Sequence, residues 1–456
     1  MEILNRPGFL KQEDGVLLNC MEAEYMVESL CRMPIEQVGS RQWMKQHENL
    51  GKLNLQAHYN TMAHCDEFVV AALISHDKME VLVHELLVIE IWMENICPQV
   101  LQSLTAEAST ITLSLILHQE TTIVNLLEVI LFHREACEAL GSDALLELAD
   151  YVYRKTVYLN TKAWEDAIFK ERTAMQMVDM KPQEEFEEKV TRNRFRGSIC
   201  ALSVLRYLTD YIGELPLSIL ARLVDCHDIL MALTPLVDSA PWKRKRKSTT
   251  KTWVEMYAKG KWTEVPVNDR FKMVEPDVQL WLAINNLLLD PKCRAKYVFN
   301  DFRRSQVLKL GKHLNDMYLD QLPVLRDLKW ALEELQLKIV PTNQSDITAG
   351  YLILEQVPML RESILCSNDW GVLAKRQAVI ILGRDGTSEI QMQEQAREMM
   401  KMFEFGEMMQ APNCAACGAP AVQRCSRCKI EWYCGRPCQV KVWQQHKQAC
   451  NLLSQT

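Results

Sequence analysis

The chain has 456 residues, 48% apolar and 24% charged, an ordinary balance for a folded protein with one large core or several smaller ones. Met1 to Gly15 carry no apolar run of the secretory kind, and the richest apolar stretch, Val81 to Trp92, is broken by His84, Glu85 and Glu90, so neither a signal peptide nor a membrane span is expected. The formal net charge of −7 is unevenly shared: from Ala411 onward there are six Lys or Arg and one acid, whereas the first 410 residues hold 46 basic and 58 acidic side chains. A basic end beside an acidic body raises nucleic acid as a partner, but the excess is small and forms no stripe, so no nucleic-acid role is expected.

Helical periodicity dominates the first 410 residues. Thr121 to His133 places Ile123, Leu126, Leu127, Ile130 and Leu131 on one face. Lys170 to Arg196 is dense in charge and contains Pro182, which reads as a mobile connection or an exposed helix. Ala201 to Ile212 repeats the apolar face through Ala201, Val204, Leu205, Leu208 and Ile212, and Leu280 to Leu288 does so through Leu280, Ile284, Leu287 and Leu288. An Asn-Leu-Leu core recurs at 125–127 and 286–288. Stacked helical hairpins of the armadillo or HEAT kind are the expected architecture, with an irregular all-helical bundle as the alternative.

One stretch, near 241–266, departs from this pattern. Pro241-Trp242 opens the basic run Lys243 to Lys247, and Thr252 to Tyr257 and Trp262 to Val265 flank Ala258-Lys259-Gly260-Lys261. Aromatic and β-branched residues around a glycine-containing turn predict a small β-hairpin insertion. The five cations read first as a solvated loop, and second as a nuclear import signal or an anion patch. Further on, Ser388 to Phe405 carries Ala396, Met399, Met400 and Phe403 on one helical face, ended by Ala411-Pro412. Nine cysteines (20, 31, 65, 97, 137, 200, 226, 293 and 366) are scattered singly, and are expected to be buried small hydrophobes in a reducing compartment, cytosolic or nuclear.

The densest chemical information lies in residues 411–452. Cys414, Cys417, Cys425, Cys428, Cys434, Cys438, His446 and Cys450 are separated by gaps of 2, 7, 2, 5, 3, 7 and 3 residues. Eight such ligands satisfy two tetrahedral zinc ions, and each Cys-x-x-Cys step lets two sulfurs reach one ion. Sequential and interleaved wirings both fit the spacing. The interleaved one is expected, because each metal then clamps two separated parts of a segment too small for its own core. It gives Cys414, Cys417, Cys434 and Cys438 to one zinc and Cys425, Cys428, His446 and Cys450 to the other. Pro437 to Gln448 should form a short helix with Pro437 in its first turn. Eight filled positions leave no place for water or substrate, which makes both zincs structural.

This spacing, with Cys-Ser-Arg-Cys at 425–428, Trp432-Tyr433-Cys434, Cys438-Gln439, Trp443 and His446, resembles the MYND-type zinc finger family at all eight ligands. The resemblance implies a groove for proline-rich peptides formed by Ser426, Gln439 and Trp443; filling of a miniature core is the competing role for Trp443. The body, in Gln46 to Leu50, Ile123 to Glu138, Ala201 to Tyr207, Trp281 to Pro291 and Leu319 to Pro323, resembles the MYND-finger factors that preassemble axonemal dynein arms in cells with motile cilia. That implies a non-enzymatic cytoplasmic scaffold, found near the centrosome or centriolar satellites at the ciliary base. Its implied partners are a leucine-rich-repeat dynein assembly factor, axonemal dynein chains, a heat-shock chaperone and an immunophilin-type co-chaperone.

Enzymatic alternatives find little support. SET-type methyltransferases wrap sequence around both sides of their MYND finger; here six residues follow Cys450 and no Asn-His-Ser-Cys motif occurs, so a terminal finger is expected. His84-Glu85-Leu86-Leu87 is followed by Val88, not the second histidine of a zinc protease helix, and no P-loop or G-x-S-x-G is present. His133 and Cys137, four apart, read as core residues of one helix. The remaining rival is a nuclear corepressor adaptor, with the finger capturing proline-containing peptides and Lys243 to Lys247 directing import.

Overall fold

The structure, a computed structural model, describes residues 17–105, 110–169, 180–247, 252–258, 260–337, 357–366 and 369–383 of the body. In the C-terminal segment it describes 414–417, 421, 423–425, 427 and 432–453. Nine helices build the frame of the body: α1 Arg41–Ala63, α2 Met79–Asn95, α3 Gln119–Ile130, α4 Ser142–Thr161, α5 Pro182–Asp210, α6 Ile229–Ser239, α7 Glu275–Leu289, α8 Asp301–Leu308 and α9 Leu325–Gln336. The odd-numbered helices pack side by side in chain order, α1 on α3, α3 on α5, α5 on α7 and α7 on α9. The even-numbered ones make a second row, α2 on α4, α4 on α6 and α6 on α8, and the rows face each other. This is the mostly α, armadillo/HEAT-like stack of helical pairs that the periodicity predicts.

The apolar faces named from the sequence line the core between the rows. Ile123, Leu126, Leu127 and Ile130 of α3 are wholly buried, as are Val204, Leu205 and Leu208 of α5 and Ile284 of α7. The recurring Asn-Leu-Leu does the same job twice. Leu126-Leu127 and Leu287-Leu288 enter the core, while each asparagine bonds back to the preceding odd helix. Asn125 contacts His58 on α1, and Asn286 Nδ2 donates to Thr209 Oγ1 (3.2 Å) and Asp210 Oδ1 (2.5 Å) on α5. Helix starts are fixed locally: Ser40 Oγ accepts from Trp43 N at 3.3 Å, and Asn300 Oδ1 from Arg303 N at 2.8 Å.

Three expectations are corrected, and two others gain detail. The predicted hairpin of the 241–266 insertion is present as β2 Thr252–Ala258 and β3 Lys261–Val265, and a further strand, β1 Lys243–Lys247, pairs with β2 to make a three-stranded antiparallel sheet in the order β1-β2-β3. The basic run is therefore strand β1 and not a solvated loop. Carboxylates hold it there: Lys243 Nζ lies 2.5 Å from Asp277, and Arg244 and Arg246 share Glu255 on β2. Residues 182–196 take the exposed-helix alternative and form the first half of α5, knit by Lys189–Glu185 (2.7 Å) and Arg192–Glu188 (3.4 Å) and anchored by buried Phe186 and Phe195. Of the nine scattered cysteines only Cys97, Cys137 and Cys293 are buried; Cys20, Cys31, Cys65, Cys226 and Cys366 are exposed. Finally, His133 does not share a helix with Cys137 as a core residue: it precedes the short helix Arg134–Glu138 and pairs with Glu67. The predicted helix at 388–405 and its Ala411-Pro412 break lie outside the described residues.

A feature no local pattern announced closes the N-terminal end of the stack. Residues 357–383 return to it, and α10 (Trp370–Ile381) lies in a second core with Trp43, Val88, Trp92, Ile116 and Phe186. Gln377, fully buried, accepts from Trp92 Nε1 at 2.8 Å and donates to the Ile35 carbonyl at 2.8 Å. Gly39, at φ +84°, sits under this helix; a β-carbon there would lie 2.8 Å from Ile381 Cγ1, so glycine serves both the turn and the close approach. Gln377→Leu is expected to cost about 1–3 kcal/mol for each polar group it orphans, read as a lower urea midpoint with unchanged slope.

Candidate metal centre

Residues 414–453 bury few side chains among those described. Their buried set among the described residues is Cys414, Ala421, Cys425, Tyr433, His446 and Cys450, with Trp432, Val442 and Trp443 packed partly against it. A short ladder, β4 Gln423–Arg424 against β5 Trp432–Tyr433, and one helix, α11 Arg436–Leu453, supply the frame. The Ala415 amide donates to the Trp432 carbonyl at 2.9 Å, which ties the first cysteine knuckle to the ladder. Helix α11 runs further than the predicted 437–448, and Pro437 is its second residue, where its missing N–H costs no helical bond.

The cysteines converge in two groups. Cys414, Cys417, Cys434 and Cys438 bring four sulfurs within 4.8 Å of one another, and Cys425, His446 and Cys450 bring their three ligand atoms equally close. Cys428 and Ser426 lie outside the described residues. Helix α11 serves both groups, since it gives Cys438 to the first and His446 and Cys450 to the second. The described ligands thus group in alternating pairs along the chain, not in sequential fours.

The spacing suits zinc. Four sulfurs at about 2.3 Å from a tetrahedral ion stand about 3.8 Å from each other, and a sulfur and a nitrogen about 3.6 Å. Here Cys417 Sγ to Cys434 Sγ is 3.5 Å, Cys434 to Cys438 3.4 Å, Cys425 to Cys450 3.8 Å, and His446 Nε2 to Cys425 Sγ 3.4 Å. Electrostatics point the same way. The sulfurs of Cys438, Cys417 and Cys414 around Cys434 push its thiol up to about 12. Thiolates this close repel one another, and a cation between them relieves that repulsion. The finger is built for two structural zinc ions. Zinc in these positions supplies fixed cross-links between chain segments; the residues contribute charge, geometry and, through α11, the mechanical link between the two sites.

Of the three residues implied for a peptide groove, two are described. Gln439 and Trp443 are one helical turn apart on α11 and both half-buried. The Trp443 ring meets His446 edge-on, centroids 5.7 Å apart, so the indole packs on a zinc ligand while part of it stays open beside Gln439. The clusters at 414–450 account for every metal-like grouping of three or more His, Cys, Asp or Glu among the described residues. No described helix is long and apolar enough to cross a membrane.

Residues 414–450 match the family model of the MYND finger. Over nearly its whole length the chain is similar to a zinc finger MYND domain-containing protein 10 homolog of Drosophila melanogaster, 29% identical over 465 aligned positions that cover 95% of this chain and 99% of the relative. Two other relatives share only the finger. A SET and MYND domain-containing protein of Dictyostelium discoideum is 52% identical over 33 residues (7% of this chain, 6% of that one). A ubiquitin C-terminal hydrolase 15 of Oryza sativa subsp. japonica is 55% identical over 38 residues (8% and 4%). No solved structure matches the chain significantly. The finger and the full-length relative point to a protein-interaction role; the short matches carry no activity with them.

Proposed function

We propose that this chain is a non-enzymatic cytoplasmic scaffold for preassembly of inner and outer axonemal dynein arms, and hence for motile cilium assembly. The observation that carries the reading is the similarity to the Drosophila relative through body and finger together, 95% of one chain against 99% of the other. It agrees with the resemblance of the body segments to dynein-arm assembly factors. In this reading the two-row helical body holds clients, and the finger recruits a partner. The partners are a leucine-rich-repeat assembly factor, dynein chains, a heat-shock chaperone and an immunophilin-type co-chaperone, met in the cytoplasm near the centrosome or centriolar satellites.

The second reading, a nuclear corepressor adaptor, keeps one observation: the partly open indole of Trp443 beside Gln439, a surface suited to a short extended peptide. The import signal it would need is weakened by the structure, because Lys243, Arg244 and Arg246 are held in a strand by Asp277 and Glu255. Affinity purification of the tagged chain from ciliating cells should recover dynein chains and chaperones, and fractionation should leave it cytoplasmic. Predominantly nuclear, chromatin-associated material without dynein chains would defeat the assembly reading. Trp443→Ala should keep both zincs and abolish capture of the finger's partner only.

A further inference from the structure

We propose that the free edge of strand β1, with the basic groove that continues from it across the ends of the even-row helices, is a docking site for an acidic, extended peptide segment of a partner protein. This names an interaction surface, and it stands whether or not the clients are dynein chains.

Three clefts lie end to end. The first, about 290 Å³, is lined by Pro241 and by consecutive residues Lys243 to Arg246, facing Lys162, Trp164 and Glu165. A cleft that touches four successive residues of one strand is a cleft along that strand's edge, since alternate side chains point to opposite faces. Strand β1 is outermost in the sheet order, so its far side carries backbone groups that no described strand pairs, except the Lys243 N–H, which donates to the Ala240 carbonyl at 2.8 Å. The second cleft, about 390 Å³, shares Lys162 and Ser239 with the first and reaches Lys309 and His313. The third, about 430 Å³, shares Lys309 with the second and adds Arg304 and Ser305. Together the linings hold seven Lys or Arg against three acids, Glu165, Asp238 and Asp301. Lys243, Arg244 and Arg246 are already matched by Asp277 and Glu255, so the cations that a ligand would meet are Lys162, Lys245, Arg304 and Lys309, a local excess of positive charge on a body that has more acids than bases over its first 410 residues.

The simplest opposing account is that these cations cap helix C-termini or discourage edge-to-edge aggregation. Two details go beyond it. Lys162 and Lys245 are exposed and make no ion pair among the described residues, although Asp277 and Glu255 already anchor the strand. Lys162 also sits at the end of α4 in the left-handed conformation (φ 56°), a place where glycine is the unstrained choice. A strained, unpaired lysine at the junction of two clefts is what a ligand contact requires.

Peptide is favoured over nucleic acid by the same surface. The strand edge supplies a register of backbone donors and acceptors that phosphodiester cannot use in kind. A single-stranded nucleic acid would also need open rings for its bases, and of the two aromatics in the first cleft Trp164 is buried while Phe169 is covered by the Arg244 guanidinium 4.5 Å from its ring centroid.

The test uses the full-length, zinc-loaded chain and a fluorescein-labelled peptide alternating Glu with Thr, followed by fluorescence anisotropy at low and moderate salt. Lys162→Gly with Lys245→Thr should weaken binding about tenfold and flatten its salt dependence, with an unchanged thermal transition because glycine relieves the φ strain. N-methylating the peptide at alternate residues, in the register that faces β1, should weaken it similarly. Equal affinity of the double variant, equal affinity of peptides methylated in both registers, or tighter binding of a uridine oligonucleotide would each overturn the proposal.

Discussion

Zinc removal, or Cys450→Ala, is expected to unfold residues 414–453 while the cooperative urea transition of the helical body stays where it is. Cys450 is fully buried and its sulfur lies 3.8 Å from Cys425, so alanine opens one vertex of the second site. The finger has no reserve against that loss. Of its buried residues, Cys414, Cys425, His446 and Cys450 are themselves ligands, which leaves Ala421 and Tyr433 as the other buried side chains among the described residues. A structural zinc contributes about 10–16 kcal/mol of apparent binding free energy, more than any packing term on this scale. Because α11 carries ligands of both groups, the defect should spread, and the variant should lose both zincs rather than one. Native mass spectrometry reads the count: two zincs in the parent and none in the variant. Affinity should fall steeply in acid, because Cys434 and its neighbours must lose protons to bind. The body depends on leucine-rich faces such as Leu126, Leu127, Leu205 and Leu208, none of which is a ligand. Loss of its transition in the variant would show that finger and body fold as one unit.

What sequence could and could not reveal divides along physical lines. Helical periodicity is local, so the faces of α3, α5 and α7 were legible, and so were the zinc ligands, whose spacing is set by the reach of two thiolates to one ion. The first half of α5 was legible only as one of two readings because Phe186 and Phe195 are nine residues apart, hence on opposite sides of the helix. Phe186 enters the second core and Phe195 the first, so they form no stripe. Strand β1 was hidden because Lys and Arg have little intrinsic preference for sheet. Glu255 and Asp277, the carboxylates that decide its conformation, come 9 or more residues after the cations they pair with. The return of α10 rests on Gln377 meeting Trp92 across 285 residues, a pairing with no local signature. Burial of the scattered cysteines was misjudged for a related reason: a single small residue carries no periodicity that tells one helix face from another.

Lys155→Met should be among the most damaging single substitutions in the body. Lys155 is 2% exposed on α4 and bridges two buried acids: its Nζ lies 3.2 Å from Glu90 and also contacts Glu120, which accepts from Tyr151 Oη at 3.1 Å. Burial alone would raise the pKa of Glu90, but Lys155 first, then Arg154 and Arg361, outweigh it and bring the carboxyl down to about 2 from 4.5. Methionine fills similar volume yet leaves Glu120 without its cation and Glu90 short of one. Breaking a buried pair from one side costs about 3–5 kcal/mol. Lys155→Met/Glu120→Leu removes the orphaned charge as well and should regain most of that loss, whereas two independent packing defects would add. The pH dependence follows with its sign. A carboxyl whose pKa is depressed on folding stabilises fully above about 4.5, and that contribution drains away as pH falls toward 2. A shift of this size corresponds to about 3 kcal/mol, and Glu90→Gln should erase that part of the acid sensitivity while lowering stability at neutral pH. Urea midpoints of the parent and the variants between pH 7 and pH 3 decide the matter. A cost below about 1 kcal/mol for Lys155→Met would mean that water reaches the cluster and the pairing is no stronger than a surface bridge.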